Sequence, residues 1–171
     1  DNSSNRFAGI FDGRGYTISN YVVGTKFKSL FGNLDTNAVV KNLKVQGVSL
    51  TNGSWLGAIV CRNYGTISDV YADYSVSSTG INNNNPAGMV ARNDGTIRNC
   101  IAKVTVASDY ASKTAIGAIA GYSATDKIYD CFAIVSDEAI NIMNARGTTP
   151  IDKVPTCKAF TSTDDFFTAL A

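Results

Sequence analysis

Apolar and polar residues alternate with a period of two through several short stretches of the chain, most cleanly in AKVTVAS at residues 102–108. β-Branched and aromatic residues fill the apolar places, and Gly and Asn punctuate the stretches, so the grammar is that of strands and not of helices. The stretches are also copies of one another. NYGTISDVYADYSV at residues 63–76 returns as NDGTIRNCIAKVTV at residues 93–106, keeping Asn, Gly, Thr, Ile and the closing Val while the charges change.

A shorter signal marks further copies. An aliphatic residue, any residue, Asn or Asp, and an apolar residue recur at Ile18, Val40, Ile67, Ile97 and Ile128, with steps of 22, 27, 30 and 31 residues. Each is preceded, 9 to 11 residues upstream, by a small residue leading an apolar pair: Gly9, Ser29, Gly57, Gly88 and Gly117. A nearly constant internal distance with a variable step means fixed strands joined by an elastic loop. Short strands at this period predict an all-β chain, a right-handed parallel β-helix of about five coils. A propeller blade needs roughly 40 or more residues and fits poorly.

In such a coil equivalent side chains stack about 4.8 Å apart. Ile18, Val40, Ile67, Ile97 and Ile128 then form one buried apolar column. Asn20, Asn42, Asp69, Asn99 and Asp130 form a structural ladder at a corner, where a short polar side chain bonds turn backbone. The same register sets Asp73 beside Lys103, an exposed pair worth about 0–1 kcal/mol.

The segment TSTDDFFTALA, residues 161–171, leaves the repeat. Ser162 or Thr163 suits a helix N-cap, Asp164 and Asp165 suit the first turn, and Phe166, Phe167 and Leu170 are predicted to share a face. The expected organisation is one domain, a β-helix over residues 1–160 closed by a helical cap over residues 161–171. The other end carries no comparable cap signal, and the chain is expected to be attached to an upstream domain of a larger protein.

Charge and composition narrow the chemistry. Fifteen Lys and Arg against 14 Asp and Glu leave a net charge of +1 in 171 residues, so a nucleic-acid partner is not expected. No apolar run approaches the roughly 18 residues of a membrane-spanning helix, so no transmembrane segment is expected. The absence of His removes Ser-His-Asp and Cys-His catalysis and the usual zinc sites. No phosphate-loop pattern occurs, and neither a metal nor a cofactor is expected. Among the four cysteines, Cys100 and Cys131 share one repeat position. Ladder spacing lies within the disulfide Cα window of about 4.4–6.8 Å, but parallel in-register side chains rarely reach the required dihedral. These two are read as small buried thiols, with pairing of Cys157 to one of them left open.

FAGIFDGRGYTISNY (residues 7–21), SLFGNL (29–34), VKNLKV (40–45) and the NxGTIxNC copies together resemble the GLUG-motif repeats found in surface and secreted proteins of bacteria, especially gut Bacteroidetes. Ser29-Leu30-Phe31-Gly32 matches with Ser for the first Gly, and Gly117-Ala118-Ile119-Ala120-Gly121 is looser. The resemblance covers roughly residues 7–135. It implies a parallel β-helix displayed outside the cell, adhesin-like or attached to a surface enzyme, with a glycan or a host or surface protein as partner. It implies no catalytic residues.

Two residue sets are candidates for function. The elastic loops, expected near residues 22–28, 47–56, 77–87 and 107–116, stack along one edge and carry Trp55, Tyr110 and the tract Asn82, Asn83, Asn84, Asn85. Aromatic rings beside amides are what glycan binding uses, which makes a non-catalytic binding module the leading expectation. The second set, Asp69, Asp73, Arg98 and Lys103 with the stacked pair Arg62 and Arg92, would serve a pectin-lyase-like carbohydrate-active enzyme, or be ordinary solvated faces. Arg62 and Arg92 repel each other unless an anion or carboxylate lies between them. A structural spacer for an upstream domain is the remaining alternative.

Overall fold

A computed structural model describes residues 5–26, 28–82, 84–143 and 156–170. Strands in parallel register wind into a β-solenoid of about five turns, followed by one short helix. One sheet stacks Arg6–Phe7, Asn33–Leu34, Leu56–Asn63, Ala87–Asn93, Ile116–Ser123 and Asn141–Met143 in that order. The other begins with Ile10–Asp12, Thr17–Ser19 and Val22–Val23, all laid on Val39–Leu50. Thr66–Val76 follows, then Thr96–Arg98 with Ile101–Val106, then Ile128–Tyr129 with Phe132–Val135. Lys158–Phe160 closes it.

Val40, Ile67, Ile97 and Ile128 stack in register and are fully buried or nearly so. In the first coil that place belongs to Phe11, because Phe11 pairs with Val40 whereas Ile18 pairs with Val45. The ladder is corrected in the same way. Asn42, Asp69, Asn99 and Asp130 occupy a left-handed corner, with φ between 50° and 57°. Asn20, also left-handed at φ 59°, donates its backbone NH to the Gln46 carbonyl at 2.9 Å and stacks on Gly47 instead. A Cβ on Gly47 would lie 2.5 Å from the Asn20 Oδ1. Asn relieves a left-handed residue equally well at either bend, so the local pattern is the same at both. Gly9 likewise belongs to another column: Ile10, its neighbour, pairs with Val39 in the second sheet and is 71% exposed.

Gly57, Gly88 and Gly117 do share one column. Just beyond it the register shifts, between Gly57 and Val60 and again between Gly117 and Ala120, so each of these strands carries an extra residue. A bulge frees carbonyls that a buried ladder would otherwise use. The hydroxyl of Tyr21 donates to the Ala58 carbonyl at 2.7 Å, and that of buried Tyr74 to the Ala118 carbonyl at 2.8 Å. Both tyrosines come from the opposite sheet, so the coil interior is cross-braced through the bulges.

The kept Asn of the long repeat has its own place inside. Asn63 and Asn93 are fully buried, and the Asn63 Nδ2 donates to the Asn93 Oδ1 at 2.8 Å. Each amide oxygen also accepts the NH of the glycine two residues on, Gly65 at 3.0 Å and Gly95 at 3.3 Å, which closes the turn between the sheets.

The helix runs over Thr163–Leu170, and the Ser162 Oγ caps it by accepting the Asp165 NH at 3.0 Å. Phe166 is buried edge-on against Phe160 and Phe132, whereas Phe167 is 62% exposed. The expected shared face is therefore narrower than three residues, because adjacent helical positions point about 100° apart and a single stripe meets the coil. The Leu170 side chain lies outside the described residues.

Candidate functional site

The connecting loops stack as a tied edge. The Thr25 hydroxyl donates to the Asn52 carbonyl, Ser78 exchanges bonds with Gly53 (2.8 and 2.6 Å), and the Tyr110 hydroxyl donates to the Ser78 carbonyl. The second of these loops starts later than the sequence predicts, since Val39–Leu50 is strand to its end.

Along this edge the expected binding residues separate. Tyr110 is half-buried against the core, and its hydroxyl is spent on the neighbouring loop. Asn82 folds its own turn, accepting the Asn84 NH at its Oδ1 (2.9 Å) and the Asn85 NH at its carbonyl (2.8 Å). Asn83 lies outside the described residues. Trp55 stands apart from both groups. It lines a cavity of about 550 Å³ together with Lys26, Lys28, Asn33, Arg62 and Arg92. Its backbone is left-handed at φ 59°, a conformation that a bulky residue adopts only where the surroundings impose it.

The two arginines reach this cavity from equivalent outward positions. Arg6, Asn33, Arg62, Arg92 and Tyr122 form one register column of the first sheet. Asp94 resolves the repulsion between the stacked arginines. Its Oδ2 accepts the Nε of Arg62 at 3.0 Å and of Arg92 at 2.8 Å, and its Oδ1 accepts the Arg92 Nη2 at 2.9 Å. Burial works to raise the Asp94 carboxyl, but the hydrogen bonds and charges of Arg92 and Arg62 outweigh it and hold the group below the usual carboxylate range. The Arg62 guanidinium also lies 4.7 Å from the Tyr64 ring centre, and that of Arg92 5.0 Å from the Tyr122 ring centre. Cys61 sits in the cavity wall, its thiol pushed up by burial and drawn back by Lys28 and Arg62.

A second, lateral groove of about 570 Å³ crosses the coils at the left-handed corner, lined by Arg14, Asn42, Lys44, Asp69, Tyr71 and Asn99 among others. It takes Asp69 from the second candidate set but not Asp73, Arg98 or Lys103. Asp73 pairs with Lys103 at 4.0 Å, as the register requires. Corner side chains bond one another more than the turn backbone: Asn99 donates to Asp69 at 3.2 Å, and Asn42 to Asp12 at 3.0 Å.

All four cysteines are free thiols, Cys100 and Cys131 fully buried. Cys157 extends their column, its Sγ accepting the Cys131 NH at 3.4 Å.

The sequence reading missed Lys26, Lys28 and Asn33, because nothing local joins them to Trp55. Asp94 was within reach: RNYG becomes RNDG where Arg62 and Arg92 stack, and the new carboxylate is what holds them.

No family model matches the chain, and no solved structure matches it. Halomucin of Haloquadratum walsbyi is similar over 87 residues at 34% identity. The match takes in 49% of this chain and spans 1% of halomucin.

Proposed function

We propose that this chain is a non-catalytic, adhesin-like module of a cell-surface or secreted protein, and that it binds a glycan at the Trp55 cavity on its stacked-loop edge. One observation carries the reading: the chain's single Trp, held in a left-handed backbone, lines a recess of about 550 Å³ with an amide and two arginines. An indole face takes the apolar face of a sugar ring, while amide and guanidinium groups take its hydroxyls. The GLUG-motif resemblance and the partial similarity to halomucin support an extracellular setting.

The test is a glycan array probed with the purified chain and with Trp55→Ala, both checked for unchanged circular dichroism. Truncating a central aromatic anchor costs about 2 kcal/mol, so the variant should bind roughly thirtyfold more weakly. Silence across the array would sink the reading and leave a spacer.

The lateral groove favours one second reading, a pectin-lyase-like carbohydrate-active enzyme, because Asp69 shares that recess with Arg14 and Lys44 from neighbouring coils. Incubation with polygalacturonate decides it. Product formation abolished by Asp69→Asn would replace the binding module, and no product dismisses the enzyme.

A further inference from the structure

We infer that the Trp55 cavity selects an acidic glycan, a sugar chain bearing carboxylate or sulfate groups; this rests on the glycan reading above and names the class within it.

The whole chain is nearly neutral at +1, so a cluster of one sign is not a by-product of composition. Yet Lys26, Lys28, Arg62 and Arg92 all line this one recess, and among the described residues no carboxylate does. Asp94 is not among the lining residues. It clasps the arginines through both Nε atoms and the Arg92 Nη2, leaving the two Nη groups of Arg62 without an acceptor among the described residues. Lys26 and Lys28 are exposed and enter no ion pair among the described residues.

Asp94 offsets one of these four charges, and the positive charge that remains makes the recess most favourable when an anion enters it. Guanidinium Nη pairs match the planar oxygens of carboxylate and the oxygens of sulfate, whereas ammonium groups supply undirected charge. Charge alone would accept any polyanion. Trp55 and Asn33 add what a bare anion does not use: an apolar face of ring size and an amide for a hydroxyl. Their combination with the cations is what points to an acidic sugar.

The experiment titrates the full chain with dextran, dextran sulfate, polygalacturonate and polyphosphate of matched length, at low and high salt. Expected is tight binding of the two acidic glycans, weak binding of dextran, and affinity that falls as salt screens the site. The Lys26→Gln/Lys28→Gln variant, altered only at exposed loop positions, should lose about tenfold in affinity for the acidic glycans and much less for dextran, which carries no charge for the ammonium groups to meet. Trp55→Ala should weaken the acidic glycans but leave any residual polyphosphate binding unchanged. Dextran binding as tightly as dextran sulfate would overturn the acidic class while leaving the glycan reading intact. Polyphosphate binding as tightly as the acidic glycans would show a site that reads charge alone, which also overturns it. No binding of any polymer would remove both readings together.

Discussion

Tyr74 shows how single residues hold this coil together. It is fully buried, and its hydroxyl meets the Ala118 carbonyl beside the bulge in Ile116–Ser123. Burial pushes the phenol well above the usual tyrosine range, so it stays a neutral donor at any ordinary pH. Replacing Tyr74 by Phe keeps the ring and leaves a buried carbonyl without its donor, which costs about 1–3 kcal/mol. Urea unfolding checks this: the midpoint should fall with the slope unchanged, and an unchanged midpoint would mean that the carbonyl has another partner. Tyr21→Phe, made at the half-buried equivalent site on Ala58, should cost less. The spacing of the repeats did not identify these hydroxyls, since which Tyr crosses the interior depends on a bulge that alternation does not reveal.

At the scale of the element, the glycine column decides whether strands of the first sheet can lie against each other. A Cβ on Gly88 would sit 2.4 Å from the Gly117 carbonyl oxygen, 2.7 Å from the Gly121 nitrogen and 2.8 Å from the Val90 oxygen. All three are backbone atoms, two in the next coil and one in the same strand, so room comes only from moving backbone. Gly88→Ala should therefore cost about 3 kcal/mol, the upper part of the range for overpacking. A thermal melt would read this as a midpoint lower by about 6–12 °C for a chain of this size. A wild-type melting point would mean that the coils separate more easily than the contacts imply. The repeat made these glycines visible as a pattern. Their reason, backbone meeting backbone across a bulge, is set by the tertiary structure.

For the whole molecule, each coil is stabilised by its two neighbours, so stability is graded along the axis. Thr66–Val76 is paired on both sides, with Val39–Leu50 and with Ile101–Val106. Ile10–Asp12 is paired on one side among the described residues, and Ile10, Tyr16 and Val22 of the first coil are 63–76% exposed. Native-state hydrogen exchange should accordingly find the strongest protection in Thr66–Val76 and Ala87–Asn93 and the weakest in the first coil. Uniform protection would indicate one cooperative unit instead.

What the sequence determined by itself is the solenoid: the strand grammar, the coil length and the buried Val40–Ile67–Ile97–Ile128 column. Each of these follows from interactions repeated locally in every coil, so a periodic pattern carries them. What only the tertiary structure decided is the phase of the first coil and the company that Trp55 keeps. The sequence could not tell which of two left-handed bends holds Asn20, because Asn satisfies both. Nor could it bring Lys26, Lys28, Arg62 and Arg92 to one recess, because they lie in different coils and meet only after stacking has set the register. The cavity is a product of winding, and winding is a non-local property of the chain.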